Sequence, residues 1–323
     1  MFGSQPDPVP GGPELLAVFG PTAVGKTSIA VEMARILRQG GKDSVGVNCD
    51  SIQVYEGLEV LSGAPTPGET AVLEHRLTSF VPVGDEFSAG QYGPLARNEI
   101  EIAIEARRIP ILIGGTGLYL RAAISDLDLR PPVAAEIREG VEVELAEVGP
   151  AELFARLPED LRAQVHPNDV KRIARFTELL RAGIDPAPNE RNGGKLWSAP
   201  PRRPTLQIGI VADQEEIERR IEVRVEEMAA RGVEQEVEAA VEAGASRTAR
   251  SAIGFSEFLV GDLTGAKASQ RSFARRQLTW MRKISGVEVI ERRGRTDREI
   301  AEEILGRFEW QQGDRTGANA RLA

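Results

Sequence analysis

The feature that most constrains this chain is a glycine-rich segment near its start, residues 20–27. It reads Gly20-Pro21-Thr22-Ala23-Val24-Gly25-Lys26-Thr27 and matches the pattern G-x-x-x-x-G-K-[ST] at every position. An apolar run at 15–19 predicts a strand before it, and helical spacing in 26–38 predicts a helix after it. There, glycines let backbone N–H groups converge on phosphate oxygens, and the helix N-terminus favours an anion. We expect all eight residues to bind a diphosphate or nucleotide, Lys26 adding charge and the Thr27 hydroxyl binding Mg²⁺.

Short apolar runs alternate with helical patterns over much of the remaining chain. The predicted strands are residues 45–49, 109–113 and 206–211, and the predicted helices are 97–107 and 214–232. A strand–helix alternation of this kind predicts an α/β core built on a parallel sheet.

One long segment breaks the alternation. Residues 128–204 contain two helical patterns, at 133–157 and 168–181, followed by a proline-rich loop at 185–204, and they contain no strand pattern. We therefore predict a helical domain at 128–204, inserted into a core formed by 14–127 and 205–310. The ends predict a disordered tail at 1–13 and a frayed polar tail at 311–323.

Composition excludes several classes of protein. With 41% hydrophobic and 28% charged residues, the 323-residue chain is typical of a soluble globular protein. The single cysteine excludes an intrachain disulfide and a cysteine-rich zinc module. Because neither a signal peptide nor a long apolar run is present, we expect a cytoplasmic protein with no membrane contact. The net charge of −9 argues at first against nucleic acid as a partner.

The glycine-rich loop predicts a polyphosphate ligand without specifying the reaction. Nucleotide hydrolases usually hold Mg²⁺ through an acid after an apolar strand, but the run at 109–113 ends in Gly114-Gly115-Thr116. Asp50 does follow a predicted strand, at the edge where parallel sheets bind ligands. Asp50 therefore either supports the metal or acts on a second substrate. The loop alone is compatible with a small-molecule kinase.

Five motifs in order resemble those of the tRNA dimethylallyltransferases. They are residues 20–27, Asp50-Ser51-Ile52-Gln53-Val54-Tyr55, Gly114-Gly115-Thr116-Gly117-Leu118-Tyr119, His166-Pro167-Asn168-Asp169 and Arg275-Arg276-Gln277-Leu278-Thr279-Trp280. The similarity runs from about residue 15 to residue 306. It implies a P-loop NTPase-like α/β core with a parallel sheet and an inserted helical domain.

The resemblance also implies a reaction. Enzymes of this family transfer the dimethylallyl group of dimethylallyl diphosphate to N6 of the adenosine immediately 3′ of the anticodon. The tRNAs concerned read codons that begin with U, and the products are N6-dimethylallyladenosine and diphosphate. A prenyltransferase acting on free adenine nucleotides shares this chemistry and stays an alternative.

Matching the family's motifs residue by residue suggests catalytic roles. Asp50 resembles the general base that takes the proton from N6, and Thr116 matches a threonine close to the reacting groups. Lys26, with Mg²⁺, stabilises the leaving diphosphate. Arg224 matches a recurrent arginine that would clamp the diphosphate, but a solvated helix arginine paired with a glutamate explains it equally well.

The same resemblance suggests contacts with the tRNA anticodon loop, whose target base must leave the stack to react. The predicted contacts are Asp50, Ser51, Ile52, Gln53, Thr116, Arg138, Lys171, Arg172, Ile173, Ala174, Arg175, Arg275 and Arg276. We expect a monomer. One departure from the family is Leu61-Ser62-Gly63-Ala64-Pro65, which lacks the lysine that relatives commonly carry there.

The distribution of charge is compatible with RNA. Residues 134–160 and 214–242 each have a net charge of −6, so the remaining chain is positive. Residues 161–181 contain five bases and two acids, and 271–283 contain five bases and no acid. Local potential attracts a phosphate backbone, so we expect modest, salt-dependent tRNA affinity centred on these two stretches.

Overall fold

The computed structural model describes residues 12–127, 129–186 and 197–319. Most of the predicted N-terminal tail, half of the predicted 185–204 loop and the last four residues of the predicted C-terminal tail lie outside these ranges. No helix in the described ranges is long and apolar enough to cross a bilayer.

The described residues contain one six-stranded sheet, and all of its strand pairs are parallel. The strands are β1 (Leu15–Phe19), β2 (Ser44–Asn48), β3 (His75–Arg76), β4 (Ile109–Gly114), β5 (Thr205–Val211) and β6 (Val287–Glu291), in the spatial order β3-β2-β4-β1-β5-β6. This sheet confirms the predicted α/β class. The sequence patterns missed β3, which has two residues, and β6, in which two glutamates interrupt the apolar residues.

Helices connect and flank these strands. They are α1 (Lys26–Gln39), α2 (Glu59–Ser62), α3 (Pro67–Thr70), α4 (Ala89–Glu105), α5 (Gly117–Ile124), α6 (Ala135–Arg156), α7 (Glu159–Arg162), α8 (Val170–Arg181), α9 (Gln214–Ala230), α10 (Val233–Glu242), α11 (Arg247–Arg250), α12 (Phe255–Leu259), α13 (Leu263–Met281) and α14 (Asp297–Asn319). Helix α4 starts eight residues earlier than predicted, because Ser88 and Gln91 form a capping box at its N-terminus.

The sheet places three loops side by side. The central strand β1 is fully buried and pairs with β4, which also pairs with β2. In register, Phe19 lies opposite Gly114 and Asn48 opposite Ile113, so the three strands end at nearly the same level. The loops that begin at Gly20, Cys49 and Gly115 therefore leave the same edge of the sheet as neighbours.

The chain divides into two compact units, of which the first comprises Met1–Asp126 and Leu196–Ala323 and the second Leu127–Lys195. The second unit packs α6, α7 and α8 around a small core of Leu153, Leu157, Leu161, Val165 and Ile173. The single helix predicted at 133–157 is wrong in one respect, because Gly149 leaves helical geometry (φ 79°, ψ 165°) just before Pro150.

The C-terminal helix extends past the boundary of the predicted tail. We expected fraying from residue 311, whereas helix α14 continues to Asn319. The backbone hydrogen bonds of a helix do not depend on an apolar face, so a polar segment can continue a helix that begins against the core. Polarity alone therefore did not locate the end of this helix.

Candidate active site

The glycine-rich segment at residues 20–27, called the phosphate loop below, joins β1 to α1 as predicted. Gly25 immediately precedes α1 with a φ of 94°, a left-handed conformation that glycine adopts without strain. The Lys26 ammonium donates hydrogen bonds to the carbonyl oxygens of Gly20 (3.2 Å) and Pro21 (2.9 Å). An ammonium has three donors, so these two bonds hold the loop closed and leave one N–H for a ligand.

Three charged groups from distant parts of the chain meet beside this loop. Burial lowers the pKa of the Lys26 ammonium to about 8; the charge of Asp50 opposes this effect, and that of Arg224 adds to it. Burial likewise lowers the pKa of Arg224, again opposed by Asp50. Two cations and one carboxylate thus share a partly dehydrated space, and their residual positive charge suits an anionic ligand.

The position of Arg224 favours one of its two interpretations. Its guanidinium donates from Nη2 to the carbonyl oxygen of Ser62 (3.1 Å), and its Nε is buried without a hydrogen-bond partner among the described residues. A built Cβ at Gly63 would collide with the same guanidinium. Arg224 therefore lies against the 62–63 segment and beside Asp50, rather than on a solvated helix face.

Asp50 is held by a local turn at the end of β2. Its Oδ1 accepts hydrogen bonds from the backbone N–H groups of Ile52 (2.9 Å) and Gln53 (3.4 Å). Among the described residues both bonds go to Oδ1, so Oδ2 is available to accept a proton. The carboxylate thus has a fixed orientation and a free oxygen, as a general base requires.

Thr116 joins this turn to the loop after β4. Its hydroxyl accepts a hydrogen bond from the Ser51 N–H (3.2 Å) and lies 3.4 Å from the Ser51 hydroxyl. The Gln53 amide donates to the carbonyl oxygen of Gly63 (3.0 Å), next to the carbonyl that Arg224 holds. Asp50, Ser51, Gln53 and Thr116 therefore form one hydrogen-bonded group, and the Ile52 backbone belongs to the same turn.

Gln277 connects the phosphate loop to the loop after β4, and the sequence analysis missed it. Its Oε1 accepts a hydrogen bond from the Thr22 N–H (2.7 Å), and its Nε2 donates to the Gly115 carbonyl oxygen (2.8 Å). The side chain is 2% exposed. The available signal was the position of Gln277 within the 275–280 motif. An amide side chain that is buried needs hydrogen-bond partners for both its oxygen and its nitrogen.

Asn48 and Glu236 are two further supports that the sequence did not indicate. The Asn48 amide oxygen accepts from the Asp50 N–H (2.9 Å), and its Nδ2 donates to the carbonyl oxygens of Asp50 (3.1 Å) and Leu77 (2.8 Å). The Glu236 carboxylate accepts from the N–H groups of Val60 and Leu61, both at 2.7 Å. These bonds position the Asp50 turn and the segment that Arg224 contacts.

The predicted tRNA contacts differ in how exposed they are to solvent. Arg275 and Arg276 are exposed on α13, where the Arg276 guanidinium lies 5.6 Å from the centroid of the Phe273 ring. In the second unit Lys171 and Arg172 are exposed on α8, Ala174 is half-buried on the same helix, and Arg138 is half-buried on α6.

Two predicted contacts in the second unit have structural roles. Ile173 is fully buried in the small core of that unit, so the prediction that its side chain contacts RNA is wrong. Helical spacing within a basic stretch explains the error, because one position in each turn faces inward. Arg175 pairs with Glu178 at 3.0 Å and donates to the Pro131 carbonyl oxygen at 2.6 Å.

The donor set fits Mg²⁺ only with help from a substrate. The described residues contain no group of three or more His, Cys, Asp or Glu side chains that could hold a metal ion. The site does offer hard oxygen donors, the Thr27 hydroxyl that opens α1 and the Asp50 carboxylate. Mg²⁺ usually retains several waters and takes other ligands from substrate phosphates, so a sparse oxygen set is what it needs.

Comparison with known proteins identifies the family of this chain. The family model described as IPP transferase matches residues 53–284, and the model described as isopentenyl transferase matches residues 13–77. The chain belongs to the IPP transferase family. Among its relatives is the tRNA dimethylallyltransferase of Thermobifida fusca, 36% identical over 83% of this chain and 87% of that protein.

Solved structures of this family share the fold. The tRNA isopentenylpyrophosphate transferase of Bacillus halodurans matches with a TM-score of 0.65 and 26% identity, over 93% of this chain and 98% of that one. A eukaryotic dimethylallyltransferase described as acting on tRNA matches with a TM-score of 0.69 over 87% of this chain and 74% of that one. At 22% identity, that second likeness speaks for the fold alone.

Proposed function

We propose that this member of the IPP transferase family transfers the dimethylallyl group of dimethylallyl diphosphate to N6 of an adenosine in tRNA. The target is the adenosine 3′-adjacent to the anticodon in tRNAs that read codons beginning with U. The observation that carries the proposal is the half-buried cluster of Lys26, Arg224 and Asp50, where the phosphate loop meets the Asp50–Thr116 group. One side of this cluster suits a diphosphate, and the other side offers a base.

The residues divide the chemistry between them. The bond between the allylic carbon and the diphosphate oxygen breaks, a bond from that carbon to N6 forms, and N6 loses one proton. Lys26 and Arg224 stabilise the charge that develops on the leaving oxygens. The Asp50 carboxylate takes the proton from N6 on its free oxygen.

Mg²⁺ would be held by the Thr27 hydroxyl and the diphosphate oxygens, and the negative charge of Asp50 beside Lys26 would favour a cation there. Bound there, it would supply further stabilisation of the leaving group. The loop N–H groups, Lys26 and Arg224 orient the diphosphate in either case.

The tRNA contacts follow from the same arrangement. Thr116 and Ser51 hold the Asp50 turn, and the Gln53 amide could read a base edge after releasing the 62–63 carbonyls. Arg275 and Arg276 on α13, and Lys171 and Arg172 on α8, present charges of the kind that position a phosphate backbone without reading sequence. We propose that the protein works in the cytoplasm, as a monomer, on the anticodon loop.

The test is transfer of label from radioactive dimethylallyl diphosphate to total tRNA, with Mg²⁺ and without ATP. We expect labelled N6-dimethylallyladenosine in tRNA digests, and AMP should be a far poorer acceptor. Dependence on ATP would favour the kinase, and comparable labelling of AMP would favour the free-nucleotide enzyme.

A variant pair tests the role of Asp50. Asp50→Asn should lower kcat by about 10² to 10⁴, the usual contribution of general base catalysis, with a much smaller effect on tRNA affinity. The matched control is Asp85→Asn, because Asp85 is exposed on a loop of the same unit. A loss below tenfold would remove Asp50 from this role.

A further inference from the structure

A buried arginine lies behind the phosphate loop, outside every motif discussed above. Arg292 follows β6 directly and is 3% exposed. Its Nη1 donates a hydrogen bond to the Val24 carbonyl oxygen at 2.8 Å, although 268 residues separate the two in the chain. Its backbone N–H also donates to the Val211 carbonyl oxygen (2.7 Å), which anchors the residue to the end of β5.

One carboxylate accepts a hydrogen bond from the Arg292 guanidinium, and a second forms an ion pair with it. Its Nη2 donates to Asp297 Oδ1, in the first turn of α14, and its Nε lies 3.4 Å from Glu216 Oε1 in the first turn of α9. Glu216 also pairs with Arg220 at 3.0 Å. The charge of Arg292 is thus compensated on its own side of the loop, so its effect on the loop comes from geometry.

The contact with Val24 determines the orientation of a peptide group. The Val24–Gly25 peptide bond is planar and trans, so its carbonyl and its N–H point in opposite directions. A donor that holds the Val24 carbonyl from behind therefore directs the Gly25 N–H toward the other face of the loop. That N–H belongs to the group that a phosphate loop uses to bind its anion.

The second glycine of the loop makes this contact possible. A Cβ built on Gly25 would lie 2.7 Å from Arg292 Nη1 and 3.3 Å from Asp297 Oδ1. Any side chain at residue 25 would therefore push the guanidinium away from the Val24 carbonyl. Gly25 thus serves two needs, since its φ of 94° also favours glycine.

We propose that Arg292 is a positioning residue for the phosphate loop. By holding the Val24 carbonyl it keeps the Gly25 N–H directed at the diphosphate, while Asp297 and Glu216 hold the guanidinium in place. This inference rests on the proposed function, because it assumes that the loop binds a diphosphate.

The test measures binding of inorganic diphosphate and of tRNA separately. Arg292→Met should weaken diphosphate binding in calorimetry about tenfold, the effect of one hydrogen bond of roughly average strength, and raise the KM for dimethylallyl diphosphate in parallel. The Kd for tRNA should stay within about twofold, because no RNA contact is changed. Arg292→Lys keeps the charge without the planar fork and should fall between wild type and Arg292→Met.

The matched control is Arg293→Met, since Arg293 is the next residue, pairs with Glu291 and has a side chain that is 73% exposed. It should leave both affinities unchanged. If Arg292→Met does not fold, Asp297→Asn replaces it in the test. That substitution weakens the charged hydrogen bond to the Arg292 guanidinium and keeps the volume of the side chain at residue 297. We expect it to weaken diphosphate binding about threefold.

The outcomes separate the two ideas. A wild-type protein that binds no diphosphate would overturn the proposed function, and this inference with it. Diphosphate binding by wild type that is unchanged in the folded Arg292 or Asp297 variants would overturn the inference alone. Equal losses of diphosphate and tRNA affinity, in step with a lower Tm, would show a purely structural role and would also overturn it.

Discussion

The pKa of Lys26 predicts how substrate use depends on pH. Burial lowers this pKa to about 8, so roughly nine tenths of the ammonium is charged at pH 7 and roughly one tenth at pH 9. The terminal phosphate of the substrate loses its second proton near pH 6, so its charge is constant above pH 7.5. If binding requires the charged ammonium, kcat/KM for dimethylallyl diphosphate should fall roughly tenfold from pH 7 to pH 9. Burial raises the pKa values of the neighbouring Cys49 and Tyr92, so they stay protonated over this range.

The assay is initial-rate transfer at saturating tRNA across pH 6.5 to 9.5, with Lys26→Arg as the comparison. A guanidinium stays charged throughout, so this variant should lose the alkaline decline even if its overall rate is lower. Lys26→Met should be slow at every pH and should not show the decline either. A wild-type profile that is flat between pH 7 and pH 9, or an equal decline in Lys26→Arg, would refute the assignment of Lys26 to the diphosphate.

Three further predictions concern other parts of the chain. Gln277→Leu should lower the free energy of unfolding by about 1–3 kcal/mol in urea titrations and raise the KM for dimethylallyl diphosphate, because two buried backbone groups lose their partner. If both values are unchanged, Gln277 does not link the two loops. Arg275→Ala and Arg276→Ala should each weaken tRNA binding and reduce, by about 0.7 to 0.9, the slope of log K for tRNA against log salt concentration, whereas Arg293→Ala should change neither. A loss of affinity that does not depend on salt would contradict a phosphate contact. Ile173→Ala should destabilise the helical unit by about 2–5 kcal/mol, which would be measured as faster hydrogen exchange in α6 and α8. If tRNA binding is weaker and hydrogen exchange is unchanged, Ile173 is not a core residue.

Much of the fold was readable because its signals are local. The five-residue run of β1 and the helical spacing of α1 were predicted within one residue of their observed ends. Strand β6 was missed because two glutamates interrupt its three apolar residues, and only Ile290 is buried in the structure. The Gly149–Pro150 break in α6 was present in the sequence and was passed over, because the apolar spacing continues across it.

The sequence indicated the residue types of the candidate site but only some of the contacts between them. The sequence indicated Lys26, Asp50 and Thr116, each within a motif that continues through neighbouring positions. It left Arg224 undecided, because an arginine on an acidic helix has the same local pattern whether it is solvated or turned toward a buried loop. The Ser62 carbonyl that Arg224 contacts lies 162 residues away, and no local spacing encodes that distance.

By itself, the sequence determined the parts whose physics is local. These are the glycine conformations and helix start that build a phosphate loop, the turn that fixes Asp50 through the N–H groups of Ile52 and Gln53, and the strand and helix periodicities. Only the tertiary structure decided which distant groups complete the loop. Gln277 holds its Thr22 N–H, Arg292 holds its Val24 carbonyl, and Ile173 turns inward within a basic helix. Each of these depends on the order of strands in the sheet or on packing between helices, which forms through contacts between residues far apart in the chain.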